Sequence, residues 1–379
     1  MSGRFLRLAC TAAVAAQAVL APGPALAAPG PERPVAELLT DLQGLYRQAE
    51  QATETYNATE EQLKRQRAEV DRLDDELARA RLSLHTSRAE AGRLARQQYQ
   101  STTGISPYVR LLLARDPQHA LDEGHVIGQL ARARAETVGR LAGDEKKQKD
   151  LARKARKALD TRLSLAERQK KQRDEVQDRL SEVERMLASL TPAQLTALAD
   201  LEQSNTADAQ RKLTTSGALS TATPPPSQEG DRAVRYAVRQ LGKPYQWGAQ
   251  GPTSYDCSGL TSQAWDHAGT PIPRTSQEQW ADLPHVPLDQ LRPGDLVVYF
   301  PEATHVALYL GDGKVVQAPR PGAKIKVSPI AANPILGAVR PDPKARPLGR
   351  YTPPTIPKSA TLGPDEGLGT SELTAPTPT

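Results

Sequence analysis

The second half of this chain holds one cysteine and three histidines, and these set what nucleophilic chemistry it can do. The 379 residues contain two cysteines, Cys10 and Cys257. Cys257 stands in Tyr255-Asp256-Cys257-Ser258-Gly259-Leu260, where a turn passes into an apolar-periodic run ending near Gly269. At a helix start, free backbone N–H groups and the positive end of the helix dipole favour a thiolate. The competing reading is a small buried hydrophobe, which is how most free cysteines serve. A thiolate nucleophile needs a base, usually a histidine whose second ring nitrogen is held by a third polar group. His267 lies too far along the same run to swing back to the thiol, and His285 sits in a loop between Pro284 and Pro287. His305 opens a strand candidate, and the next candidate ends with Gln317, which can lie beside it. Cys257, His305 and Gln317 are therefore the candidate catalytic set. There is no Cys/His cluster of the kind that holds a metal, and no cofactor is called for.

The elements that must position these residues lie between 229 and 346. A helix over 231–241 is closed by Gly242, and the turn-rich stretch 243–252 leads into the Cys257 helix, which Pro271 and Pro273 stop. A short helix is expected over 276–282. Strands follow at 295–300, 305–310 and 314–317, with Gly311-Asp312-Gly313 as a hairpin turn between the last two. Segments 324–329 and 335–340 complete a small antiparallel sheet. Helices first and a sheet after make an α+β domain.

Before that domain the texture changes. Arg4 and Arg7 precede an apolar stretch from Leu8 to Ala21, and Ala25-Leu26-Ala27 supplies small residues for cleavage after Ala27 or Ala28. Residues 1–28 thus read as a secretory signal peptide, which removes Cys10 and sends the chain out of the cell or to its wall. Residues 34–213 read as an all-α antiparallel coiled-coil hairpin. Leu38, Leu42, Leu45, Ala49, Ala52, Tyr56, Thr59 and Leu63 begin a seam in steps of four and three, and it runs on to Leu94. Gly104, Ser106, Pro107 and Pro117 break it, leaving Tyr108, Val109 and Leu111 to Leu113 at the tip. A second helix is expected from about Leu121 to Leu190, and a third from Thr191-Pro192 to near Lys212. Residues 214–228, with Pro224-Pro225-Pro226, read as a Ser/Thr/Pro linker, and 347–379 as a disordered tail. Aromatic residues are 4% of the chain, too few for one large core, and the formal charge is only +5. No basic block is interleaved with aromatics, so nucleic-acid binding is not supported.

The motifs resemble the NlpC/P60 cell-wall cysteine peptidases, a papain-like fold. The likeness rests on Gly242-Lys243-Pro244-Tyr245-Gln246-Trp247-Gly248, the Cys257 hexapeptide, Pro273-Arg274-Thr275-Ser276, Leu291 to Leu296, and His305 to Gly311, all in order. It covers residues 230 to 342. The resemblance implies hydrolysis of peptidoglycan stem peptides, commonly at the D-γ-glutamyl–diamino acid bond. Cys257 would be the nucleophile, His305 the base and acid, and Gln317 the residue orienting the imidazole. Tyr245, Asp256 and Ser258 would bind the stem peptide. Two positions depart from the family pattern: Gln317 stands where histidine is usual and cannot supply charge, and Ala249 stands where glycine is usual, which would tighten that turn. Coiled-coil hairpins joined to such domains are similar to division-associated hydrolases. There the helices restrain the enzyme or bind a membrane-embedded complex that releases it. Two alternatives stay open: a coiled-coil adaptor with a vestigial hydrolase, and amidase or acyltransferase chemistry on the same fold.

Overall fold

The computed structural model describes residues 33–361 except 102–106, 114–115, 221 and 223. The expected signal peptide, the breakers Gly104 and Ser106, and residues 362–379 of the expected tail lie outside the described residues.

Two helices dominate. Helix α1 (Val35–Ser101) has 67 residues and α3 (Pro117–Ala188) has 72, so each is roughly 100 Å long at ~1.5 Å per residue. The short α2 (Pro107–Leu112) lies between them. The pair is antiparallel: Leu42 and Tyr46 of α1 meet Val183 and Leu187 of α3, while Val70, Leu73, Leu77 and Ala80 meet Leu151, Ala155 and Ala158. Polar seam residues find partners across it. Gln66 Nε2 donates to the Ala158 carbonyl at 3.0 Å, and Ser87 Oγ donates to Asp144 at 2.5 Å. Helix α3 starts a turn before the expected Leu121 because Asp116 caps it, accepting from the His119 N–H, with Pro117 in the first turn. Towards α2 the apolar residues Tyr99, Tyr108, Leu112, Leu113 and Leu121 are exposed. Among the described residues no helix is long and apolar enough to cross a membrane.

Helix α4 (Pro192–Thr215) opens with a full capping box, in which Thr191 and Gln194 satisfy each other's backbone N–H groups. It is followed by α5 (Gln228–Val238), α6 (Cys257–Ala268) and α7 (Ser276–Asp282). Helix α5 begins three residues before the expected 231 because Ser227 accepts from the Gly230 N–H and so sets the N-cap upstream. Helix α6 ends at Gly269, whose φ of 90° is the left-handed cap that glycine adopts at low cost.

The strands are β1 (His285–Val286), β2 (Leu296–Tyr299), β3 (His305–Gly311), β4 (Lys314–Gln317), β5 (Lys326–Pro329) and β6 (Ile335–Val339). They form one antiparallel sheet in the order β1-β6-β2-β3-β4-β5. His285, expected in a loop, instead pairs with Val339. The alternation of side chains along β2 and β3 buries both faces. Leu296, Val298, Val306 and Leu308 face α5 and α6, in one cluster with Val234, Leu260 and Trp265. Val297, Tyr299, Ala307 and Tyr309 form a second cluster on the opposite face, against which Leu213 of α4 and Leu219 pack.

That second face shows how closely the helical region is joined to the sheet. Gln210 of α4 donates from Nε2 to the Gly313 carbonyl at 3.2 Å and accepts from the Ala331 N–H at 3.1 Å. Arg320, just past β4, donates to both Glu202 carboxylate oxygens at 3.0 and 2.9 Å, and its guanidinium lies 4.7 Å from the Tyr46 ring centroid. On the first face, Ala49 and Ala52 of α1 and Val176 and Leu180 of α3 belong to the same buried cluster as Tyr245, Trp247 and Cys257. The base of the hairpin is thus part of the domain's core.

Candidate active site

Cys257 is the first residue of α6 and is 2% exposed. Its position is fixed by the residue before it. The Asp256 carboxylate caps α6 through the Gly259 N–H at 2.6 Å and accepts from the Gly248 N–H at 3.0 Å, tying down the loop between Tyr245 and Gly251. Arg274 completes the cluster with two bonds to Asp256, at 3.1 and 2.7 Å, both partners being buried. Gly259 is needed for this close approach: a Cβ there would lie 2.2 Å from the Ala249 carbonyl oxygen. Gly259→Ala should therefore destabilise the fold by about 1–3 kcal/mol through overpacking. An unchanged melting temperature would refute that placement. Ala249 shows no strain, since the positive-φ residue in this turn is Gly248 at 73°, and the described non-glycine residues with positive φ are Phe300, Ala303 and Asp312.

His305 begins β3, fully buried, opposite Tyr299. Its Nε2 lies 2.7 Å from Gln317 Oε1, so the ring N–H donates to the amide carbonyl. Gln317 ends β4 and reaches His305 across the β3–β4 hairpin. The Val306 backbone, one residue on, hydrogen-bonds the Cys257 sulfur, which brings the start of β3 to the start of α6. His305 and Gln317 thus meet, the residue after His305 reaches Cys257, and Nδ1 of His305 is the ring nitrogen turned away from Gln317. The other histidines are elsewhere: His267 stacks on Tyr236 at 4.9 Å and His285 on Trp280 at 4.0 Å.

Tyr245, Asp256 and Ser258 are also together, all buried. Asp256 is occupied by its cap and by Arg274, and Ser258 Oγ accepts from Arg274 Nη1 at 2.7 Å. Burial, with Cys257 and Asp256 close by, pushes the Tyr245 phenol well up.

Sequence reasoning did not find Glu50, Glu54 and Asn57, which α1 inserts into this cluster. Glu54 accepts from Ser258 Oγ at 2.7 Å and from the Ser276 N–H at 2.8 Å, and its Oε1 lies 3.8 Å from the Cys257 sulfur. Asn57 Nδ2 donates to Asp256 at 3.1 Å. Glu50 Oε1 lies 3.4 Å from His305 Nδ1, an ion-pair distance. The ring of Tyr56 stacks edge-on against Trp247 at 5.1 Å. The available signal was weak. Between Ala49 and Thr59 the seam carries Ala49, Ala52, Tyr56 and Thr59 and no leucine, and its neighbours Glu50, Thr53, Glu54 and Asn57 are buried, not solvated.

These contacts reverse the expectation of a thiolate at the helix start. Burial, then Glu54, Asp256 and Glu50, push the Cys257 thiol well up, outweighing the helix start and the Val306 hydrogen bond. Burial disfavours the His305 imidazolium, but Glu50, Gln317 and Glu54 together outweigh it and raise the pKa, although Gln317 brings no charge. Glu54 itself is pushed up to about 7 by burial and by Asp256, against the opposing pull of Arg274, Ser258 and Ser276.

A thiol at a helix start and a histidine oriented by an amide are groups that a cysteine hydrolase uses. Residues 242–337 match the model of the NlpC/P60 family. The chain is 40% identical over 116 residues to a probable endopeptidase of Corynebacterium glutamicum, covering 31% of this chain and 56% of that protein. The match thus spans little more than half of that relative. A probable endopeptidase of Mycobacterium tuberculosis is 29% identical over 362 residues, covering 81% of this chain and 90% of its own length. A solved structure of RipD from the same organism, described as a non-catalytic NlpC/p60 domain protein adapted to peptidoglycan binding, is 33% identical. It covers 30% of this chain and 98% of that one, with a TM-score of 0.28.

Proposed function

We propose that this protein is an exported cysteine endopeptidase that cleaves the stem peptides of peptidoglycan, at the D-γ-glutamyl–diamino acid bond. The observation that carries the reading is the 2.7 Å contact between His305 Nε2 and Gln317 Oε1, which turns Nδ1 to the side where Glu50 of α1 now lies and where, once α1 withdraws, it serves the sulfur of Cys257. His305 takes the thiol proton on Nδ1, and the thiolate attacks the scissile carbonyl. Backbone N–H groups at the start of α6 steady the oxyanion. The imidazolium then gives its proton to the departing amine, leaving a thioester on Cys257. Water, deprotonated by His305, hydrolyses the thioester and restores the thiol. Tyr245 and Ser258 line the acyl side of the site.

Cys257→Ala is expected to abolish the loss of turbidity of purified peptidoglycan, and His305→Ala to reduce it by at least ~10³-fold, the scale on which removing a nucleophile or its base acts. Full activity in the Cys257→Ala protein would sink the proposal. Amidase or acyl-transfer chemistry on the same residues would give different fragments, which mass spectrometry of the digest separates.

The same reading assigns a role to the hairpin. With Glu54 3.8 Å from the sulfur and Glu50 beside His305, a stem peptide has no room to bind. Helix α1 is therefore a built-in plug, and hydrolysis requires it to withdraw. The exposed apolar tip around Tyr108, Val109, Leu112 and Leu113 is the contact through which a membrane-embedded partner would draw it away.

A further inference from the structure

Gln317 differs from a histidine or a carboxylate in one respect that matters here: its two ends are chemically opposite. If the carbonyl faces His305 Nε2, that nitrogen must carry hydrogen, and Nδ1 keeps its lone pair to take a proton. If the amide NH2 faces it, Nε2 must be the acceptor and Nδ1 carries the hydrogen, so the ring cannot take the proton of Cys257. The demand is strictest once the proton has moved, because both nitrogens of the imidazolium are donors and only the carbonyl can receive Nε2–H. The NH2 end then needs an acceptor of its own, in a place closed to water.

One is present. Gln317 Nε2 lies 2.8 Å from the hydroxyl of Ser328, on the neighbouring strand β5. Ser328 is 3% exposed, as is Gln317, and it pairs in register with Val315, two residues before Gln317 on β4. A hydroxyl oxygen can accept this bond in every protonation state of the ring, whereas an alkyl side chain would leave a buried N–H unpaired. His305 itself is faced by Glu50 and Glu54 from α1 and by the Tyr299 ring from β2 at 5.6 Å.

We propose that Ser328 is a positioning residue for the catalytic pair: its hydroxyl accepts from the Gln317 amide and so holds the carbonyl on His305 Nε2. The proposal rests on the reading of His305 as the base, but its test reads the proton on the ring and not turnover. The full chain labelled with 15N-histidine is titrated by NMR as wild type and as Ser328→Ala. The alanine protein is expected to lower the pKa of His305 by about half to one unit, the worth of one buried hydrogen bond to the charged form. Ser328→Thr and Ser328→Val form a second pair, nearly identical in shape and suited to a strand, that differ only in the hydroxyl. Threonine should retain the wild-type titration and valine should follow alanine, even if the alanine protein folds poorly. Steady-state kinetics on a soluble stem peptide should show kcat lowered about 3–10-fold in the valine protein, with KM held. Identical His305 titration curves for threonine and valine would overturn the proposal. A chain that hydrolyses nothing, yet shows the titration difference, would fault the proposed function and leave the role of Ser328 intact.

Discussion

The full-length chain carrying Glu54→Lys is expected to release peptide fragments from purified peptidoglycan roughly 10–100 times faster than the wild-type chain. Glu54 holds α1 in the site with hydrogen bonds from Ser258 and from the Ser276 backbone, and each contributes about 0.5–1.5 kcal/mol, more when the carboxyl is ionised. A lysine removes both and places an ammonium beside the buried Arg274, which Glu54 now partly balances. At about 1.4 kcal/mol per tenfold in population, the loss of both bonds raises the uncovered share roughly tenfold or more. Lysine is a good helix former, so α1 itself should persist. The remaining grip on the domain comes from Asn57 on Asp256, Arg320 on Glu202, and the Ala49 and Ala52 contacts. These explain why a single change should open the site without separating hairpin and domain. Equal rates for the two proteins in a turbidity assay would show that the plug does not limit activity.

The second large effect is on pH. With α1 in place, Glu54 sits at about 7 against its ordinary 4.5, and both His305 and Cys257 are raised as well. Withdrawal of α1 returns Glu54 to water and takes Glu50 away from the imidazole and the thiol. In every case the plugged form is the one that binds more protons. A group with a raised pKa contributes stability that is complete below its ordinary value and lost as pH rises through the shifted one. The plug should therefore be tightest below about 4.5 and should loosen as pH rises towards and past 7. Amide exchange along residues 47–60 of α1 is the direct measure, with protection expected to fall over that interval after correction for the intrinsic rate. Glu54→Gln mimics the protonated side chain and should flatten most of the change. Protection that grows with rising pH would contradict this account.

Much of the domain was legible before any coordinates because local chemistry and tertiary structure agree there. Thr275 caps α7 by accepting from the Glu278 N–H, so the helix spans the expected 276–282. The Gly311-Asp312-Gly313 turn takes positive φ at all three residues, which fixes the β3–β4 hairpin and places Gln317 where it can reach His305. The paired leucine seams of α1 and α3 likewise announce an antiparallel hairpin. The plug was not legible, because a buried glutamate on a long amphipathic helix looks like a solvated one until its partner is known. The contact from Glu54 to Ser258 spans 204 residues of sequence, and no period within α1 encodes it. For the same reason the thiol was expected to be activated by its helix start, whereas the carboxylates of α1 and the burial they complete hold it protonated. Helix α4 was expected only as a third helix before a linker. Its cover over the far face of the sheet depends on Gln210 meeting Gly313, 103 residues on, and on Leu213 packing against that face.

The central claim is that Cys257 is the nucleophile of a stem-peptide endopeptidase held shut by α1. The most direct test is mass spectrometry of peptidoglycan digested with Glu54→Lys, and with the same protein also carrying Cys257→Ala. The account predicts stem peptides severed after D-glutamate in the first digest and intact stems in the second. Severed stems in both digests, or intact stems in both, would contradict it.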